Sequence, residues 1–160
     1  MPHITVAVES TVGSSIGRND GPVPDESDAT GRGGWPVGKG CVEDTLGTDG
    51  RPIQTMVLLQ EPALPGDEVA AWPVAVLHLN DGRHDLDEVV CVAEVESFVD
   101  LVDTTDLSRW HAEPAAWASA LGRLTPESAY QVTGCGSRKE ADRLVATARH
   151  SFLQLTGCLE

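Results

Sequence analysis

Valine- and leucine-rich segments, each bounded by a turn sequence, constrain the fold of this chain most strongly. Residues 69–79 and 88–93 are nearly continuous apolar runs, with Pro65-Gly66 and Asp81-Gly82 as turn sequences beside them. At the N-terminus, Ile4, Val6 and Val8 alternate with other residues as the buried side of a strand does. These patterns predict strands of a small barrel over residues 4–8, 55–59, 69–79, 88–93 and 130–133.

Two helices are predicted in the second half of the chain. Ser137 and Glu140 have the Ser-x-x-Glu spacing of a capping box, and apolar residues follow them at helical spacing. A shorter helix is predicted from about Pro114 to Leu124, because proline is tolerated in the first helical turn. The apolar positions of the long helix are Ala141, Leu144, Val145, Ala148, Phe152 and Leu155.

The length of 160 residues predicts a single domain spanning 1–160. Within it, residues 10–40 are rich in Gly, Pro, Ser and Asp, and this composition predicts a long Gly/Pro-rich loop region. The four cysteines are widely spaced and do not have the spacing of zinc ligands, so we expect free thiols.

The formal net charge of -14 argues against duplex nucleic acid and anionic membranes as partners, because both are themselves anionic. No segment approaches the roughly 20 apolar residues of a membrane span. The N-terminus has no basic segment followed by a long apolar run, and therefore does not resemble a signal peptide. We expect a cytoplasmic protein.

A group of short motifs in residues 43–74 points to one family. Glu-Asp-Thr-Leu-Gly, Asp-Gly-x-Pro, Val-Leu-Leu, Glu-Pro, Pro-Gly and Trp-Pro-Val occur there in this order. In this order and spacing the chain resembles the soluble family I inorganic pyrophosphatases, best over residues 40–92 and more weakly over 129–155. The resemblance implies an α+β, mainly β fold: a closed five-stranded barrel of the oligonucleotide-binding type with two outer helices.

The resemblance also implies a pocket in which carboxylates hold magnesium and the attacking water. The three carboxylates of the family's loop correspond here to Asp49, Arg51 and Gln54, and a guanidinium can neither bind a metal ion nor accept a proton. Leu86 occupies a further metal-binding position, and Glu88 stands where the family has a lysine. We therefore predict a degraded metal site, in which any remaining ligands are Asp49 and Asp81.

The positions that match the family's pocket define the candidate site. Four of them are predicted to be catalytic, with the carboxylates as general bases and the cations stabilising a developing anion: Glu9, Lys39, Asp49 and Arg51. The other four are predicted to bind the substrate: Trp35, Gln54, Asp81 and Glu88.

Acidic and basic side chains in one pocket shift each other's pKa values, which suits proton transfer. The predicted function is therefore a repurposed, metal-independent acid/base enzyme that cyclises, eliminates or isomerises a small organic substrate, in specialised metabolism. One alternative is a non-catalytic binding or assembly scaffold, and another is a weak magnesium-dependent inorganic pyrophosphatase. No cofactor is predicted, except Mg²⁺ under the last alternative. The expected partners are a small-molecule substrate and further copies of the chain in a homo-oligomer.

Overall fold

The computed structural model describes residues 4–14, 16, 35–47, 50–110, 112–125 and 130–157. Six strands and two helices follow one another along this part of the chain. The strands are β1 (Ile4–Val12), β2 (Val37–Val42), β3 (Gln54–Leu58), β4 (Glu68–Asn80), β5 (Asp85–Ala93) and β6 (Gln131–Gly136). The helices are α1 (Pro114–Leu124) and α2 (Arg138–Leu155), and short 3-10 turns at Glu96–Phe98, Thr104–Asp106 and Ser108–Trp110 precede them.

Five strands form a ring in the order β1, β2, β3, β5, β4, and β4 pairs back onto β1. Strands β3 and β5 run parallel, and the other neighbours are antiparallel. Strand β4 is long enough to serve two partners on one side: its first residues pair with β1 and its last residues pair with β6. The predicted mainly β fold with two helices is confirmed, and the ring holds the five strands expected of the barrel.

The apolar runs of the sequence become the core of this ring. Val6, Met56, Leu77 and Val90 are fully or almost fully buried. In β4 every residue from Trp72 to Leu77 is buried, because this strand is covered on both of its faces, with α2 in contact with it. Each fully buried Val or Leu side chain stabilises the fold by roughly 1.5–3 kcal/mol. Among the described residues, no helix is both long and apolar enough to cross a membrane.

Helix α2 begins where the sequence predicts it. The Ser137 side chain accepts a hydrogen bond from the backbone N of Glu140 at 3.3 Å, which satisfies one free N–H group of the first turn. The apolar face is shorter than predicted: Ala141, Val145 and Ala148 are buried, whereas Leu155 is 71% exposed. Leu155, in the last turn of α2, is therefore exposed to solvent and does not lie on the buried face where the sequence predicted it.

Both ends of the loop predicted over residues 10–40 are strand: β1 continues to Val12, and β2 begins at Val37. Residues 17–34 lie outside the described part of the chain. The sequence does not predict β2, because its Gly-Lys-Gly segment contains two glycines and glycine is disfavoured in strands. Gly40 has a packing reason, since a Cβ atom there would overlap the carbonyl oxygen of Ala7 on β1.

Candidate active site at the mouth of the strand ring

A cleft of about 710 Å³ opens between one end of the strand ring and the helices. Charged and polar side chains from β1, β2, β3 and β5 line its ring side: Glu9, Lys39, Gln54, Asp85, Asp87 and Glu88. The opposite wall includes Leu124 at the end of α1 and Leu144, Thr147 and Ser151 on α2. The volume and the mixture of apolar walls with a few polar groups are typical of small-molecule sites.

Lys39 is the centre of the polar side of the cleft. Its Nζ donates a hydrogen bond to Gln54 Oε1 at 2.8 Å and lies 2.8 Å from Glu88 Oε1. Lys39 pairs with Met56 across the β2–β3 ladder, so its side chain reaches Gln54 diagonally. Glu88 comes within reach because Thr55 and Val89, the residues that follow Gln54 and Glu88, are partners in the parallel β3–β5 ladder. Three strands thus bring these side chains together.

Lys39 and Glu88 are both buried, with exposed fractions of 9% and 6%. Burial raises the pKa of Glu88; the Lys39 ammonium opposes this effect, and the Glu9 carboxylate adds to it. Lys39 Nζ and Glu88 Oε1 form a buried ion pair at 2.8 Å. A buried carboxylate with a raised pKa at the edge of a cleft is a candidate proton acceptor.

Glu9 reaches the cleft through an irregularity in β1. Val8 pairs with Gly40 and Ser10 pairs with Lys39, so Glu9 is an extra residue in the ladder. Glu9 lines the cleft but is exposed. Burial raises the pKa of the nearby Cys41 thiol, and the Glu9 carboxylate contributes in the same direction.

Five of the predicted site residues line this cleft: Glu9, Lys39, Arg51, Gln54 and Glu88. Trp35 does not; its ring packs edge-on against Phe98 with centroids 5.2 Å apart. Asp81 is also elsewhere, in the β4–β5 turn, where its carboxylate accepts hydrogen bonds from the backbone N of Arg83 and of His84. These bonds, first the one from His84, lower the Asp81 pKa. Asp49 lies outside the described residues.

Two features in or beside the site have only weak signals in the sequence. Leu144, Thr147 and Ser151 are spaced three and four residues apart, so they share one face of α2, but nothing in the sequence indicates that this face borders a cleft. The second feature is a histidine between two carboxylates: His78 Nδ1 lies 2.7 Å from Asp87 Oδ1, and Nε2 lies 2.9 Å from Glu140 Oε1. The pKa of His78 is raised, first by the hydrogen bond with Asp87.

Comparisons with known proteins place this chain in a family. The family model described as inorganic pyrophosphatase matches residues 29–153. An inorganic pyrophosphatase of Methanosarcina acetivorans is 32% identical over 72 residues, which are 45% of this chain and 43% of that protein. The chain thus spans less than half of this curated relative. An inorganic pyrophosphatase of Leifsonia xyli is 27% identical over 113 residues, 69% of each chain.

Solved structures show the same fold. The inorganic pyrophosphatase of Thermus thermophilus has a TM-score of 0.68 at 22% identity, covering 94% of this chain and 91% of that chain. A vacuolar soluble pyrophosphatase of Trypanosoma cruzi, solved in complex with pyrophosphate, has a TM-score of 0.68 at 13% identity, covering 98% of this chain and 71% of that chain. The family match extends over most of the chain. The protein therefore belongs to the inorganic pyrophosphatase family.

Magnesium is the metal that this family implies, and the described side chains of the cleft do not suit a site for several magnesium ions. Such a site needs closely spaced hard oxygen ligands with a high negative charge. Here the Lys39 ammonium already lies between Gln54 and Glu88, and Asp87 is paired with His78. Within the described residues, no group of three or more His, Cys, Asp or Glu side chains could hold a metal ion.

Proposed function

We propose that the protein is a metal-independent acid/base enzyme that acts on a small organic molecule in the cleft at the mouth of the strand ring. The observation that carries the proposal is the buried Lys39–Glu88 pair, with Nζ and Oε1 2.8 Å apart at the edge of the cleft. A buried carboxylate next to an ammonium supplies a base and a cation within one small space.

Glu88 is the proposed general base. Burial raises its pKa above the ordinary value of 4.5, in the direction of the working pH at which a base is most effective. Oε1 faces the Lys39 ammonium, and an ionised carboxylate has further lone pairs with which to accept a proton from a bound substrate. This role differs from the substrate-binding role that the sequence predicts for Glu88.

Lys39 and Arg51 are the proposed stabilisers of the anion that forms when the substrate loses its proton. Both line the cleft, and Lys39 donates to Gln54, which fixes the position of its ammonium group. Glu9 is exposed at the same mouth and is a proposed second proton carrier between the cleft and solvent.

A second candidate function is magnesium-dependent hydrolysis of pyrophosphate. The family match over residues 29–153 favours it, because the curated relatives carry the name inorganic pyrophosphatase. Asp49, which would be one of its ligands, lies outside the described residues. The cytoplasmic location and the homo-oligomeric state expected from the sequence also remain proposals, and light scattering on the purified protein measures the second.

Two assays separate these candidates. The first measures phosphate release from pyrophosphate with MgCl₂, and we expect a rate close to that of the enzyme-free control. The second measures proton abstraction from 5-nitrobenzisoxazole in EDTA, a general probe for a carboxylate base in an apolar site. Glu88 would remove the ring C–H proton, the electron pair would form the nitrile, and the N–O bond would break to give a phenolate.

The expected result is measurable proton abstraction by the wild type and a loss of about 100-fold or more in Glu88→Gln. Glu61→Gln, an exposed residue outside the cleft, is the matched control and should retain the wild-type rate. Equal rates for wild type and Glu88→Gln would overturn the acid/base proposal. Robust magnesium-dependent phosphate release would establish the second candidate in its place.

A further inference from the structure

A group of apolar side chains lies in the cleft beside the Lys39–Glu88 pair. Leu79 and Leu86 are direct partners in the antiparallel β4–β5 ladder, so their side chains lie on the same face of the sheet, and both line the cleft. Three further apolar residues line it from the end of α1, from the residue before β6 and from α2, and they pack against the core while only partly buried. These residues form the apolar patch: Leu79, Leu86, Leu124, Tyr130 and Leu144.

The apolar patch lies next to the proposed general base. Leu86 and Glu88 are two residues apart on β5, so their side chains point to the same face and their Cα atoms are about 7 Å apart. Both side chains line the cleft. A molecule whose reactive carbon lies against Glu88 would therefore place its adjoining ring or alkyl segment against Leu86.

The charges of the cleft disfavour a substrate with several negative charges. Among the described residues, four carboxylates, two cationic side chains and one histidine line it, and the Lys39 ammonium is already paired with Glu88. Like charges repel each other most where water is partly excluded. An uncharged substrate avoids this repulsion and becomes negative only as it loses its proton, so the nearby ammonium would stabilise the transition state more than the bound substrate.

We propose that the substrate of this site is an uncharged molecule with an apolar body, which packs on the apolar patch while the carbon that loses its proton faces Glu88. Leu86 is then a specificity-determining residue, because it contacts the substrate beside the reacting carbon. The inference rests on the proposed function, since it describes the substrate of the same reaction.

The test measures binding of N-phenyl-1-naphthylamine, an uncharged aromatic dye whose fluorescence rises in apolar sites. The dye is titrated into the wild type, Leu86→Asn and Leu144→Asn. Asparagine is close to leucine in size but presents an amide in place of the apolar surface. Each substitution should weaken dye binding by about 10-fold or more. The two leucines lie on a strand and on a helix, so each variant tests the patch from a different element.

Two controls locate the dye and its charge preference. Leu64 is 72% exposed and lies outside the cleft, so Leu64→Asn should bind the dye as tightly as the wild type does. The second control uses the wild type alone and therefore does not depend on the folding of any variant. It compares the dye with 8-anilinonaphthalene-1-sulfonate, which has the same rings and an added sulfonate, and the anionic dye should bind about 10-fold more weakly or less.

The proton-abstraction assay gives an independent readout. Leu86→Asn should raise KM for 5-nitrobenzisoxazole much more than it lowers kcat, whereas Glu88→Gln should lower kcat. Three outcomes would overturn the inference: unchanged dye binding in both cleft variants, an equal loss in Leu64→Asn, or tighter binding of the anionic dye by the wild type. Equal proton-abstraction rates for wild type and Glu88→Gln would instead refute the acid/base function, and the dye titrations would still decide whether the apolar patch binds an uncharged apolar molecule.

Discussion

The stability of Lys39→Met should depend strongly on pH, because the substitution leaves Glu88 buried without its ammonium partner. With Nζ and Oε1 2.8 Å apart, the gross attraction is about 6 kcal/mol at an effective dielectric constant of about 20. Glu88 limits the loss by taking up a proton, so the full value is not expected at any pH. The remaining penalty is set by how far the pH lies above the carboxyl pKa of the unfolded chain.

The size of this penalty follows from proton linkage. Burial raises the Glu88 pKa above its ordinary value of 4.5, so the folded state binds the proton more tightly than the unfolded state does. Stability from this group is therefore complete below pH 4.5 and declines as the pH rises towards the folded-state pKa. Each pH unit in this range lowers the free energy of unfolding by up to about 1.4 kcal/mol, so the penalty is small near pH 5 and larger at pH 8.

The comparison that isolates Glu88 is Lys39→Met against Lys39→Met/Glu88→Gln, because the two proteins differ only in a carboxyl group. Urea unfolding in EDTA, followed by tryptophan fluorescence, should give free energies of unfolding that differ by less than about 1 kcal/mol at pH 5 and by about 3–5 kcal/mol at pH 8. The double variant should be the more stable protein at pH 8. Glu61→Gln, which removes an exposed carboxylate, should change little at either pH. A difference that stays below 1 kcal/mol at pH 8 would refute the argument that Glu88 is desolvated.

Two further substitutions test the surroundings of the site. Gly40→Ala should lower the free energy of unfolding by about 1–3 kcal/mol or more, because the added Cβ would overlap the Ala7 carbonyl. The control is Gly13→Ala, because a Cβ at Gly13 would contact no other atom. Equal urea midpoints for the two variants would contradict the close approach of β1 and β2. His78→Gln should destabilise the protein by up to about 1 kcal/mol at pH 6, and this loss should fade towards pH 9. The pKa of His78 is raised in the folded protein, so the stabilisation from its positive charge is complete below about pH 6.5 and is lost as the pH rises through the folded-state pKa. Urea midpoints at both pH values measure this, and a loss that grows with pH would be inconsistent with a charged His78 between Asp87 and Glu140.

The elements that the sequence predicted best are those whose local signals agree with the final structure. Val6 and Val8 alternate because β1 has one buried face, and the apolar runs of β4 and β5 are long because these strands are covered on both sides. Ser137 marks the start of α2, and Pro114 is the first residue of α1. Such signals depend on neighbours within a few residues, so they can be recognised in the sequence without knowledge of the fold.

Strand β2 shows where local signals fail. Its Gly-Lys-Gly core has low strand propensity, and only the closeness of Ala7 on β1 explains why Gly40 is accommodated there. Trp35 and Asp81 show the same limit for the site. Matching motifs placed both in a pocket, whereas Phe98 holds Trp35 elsewhere and turn hydrogen bonds occupy Asp81.

The ion pair at the centre of the site depends on tertiary structure alone. Lys39 and Glu88 belong to strands that are not neighbours in the ring, since β3 lies between β2 and β5. The sequence supplied an acid, a base and an amide at positions worth examining, but it could not indicate that they share one buried space. Burial and a distance of 2.8 Å turn two ordinary charges into a coupled pair, because the strength of electrostatic interactions depends on separation and solvent exposure, which arise only when the ring closes.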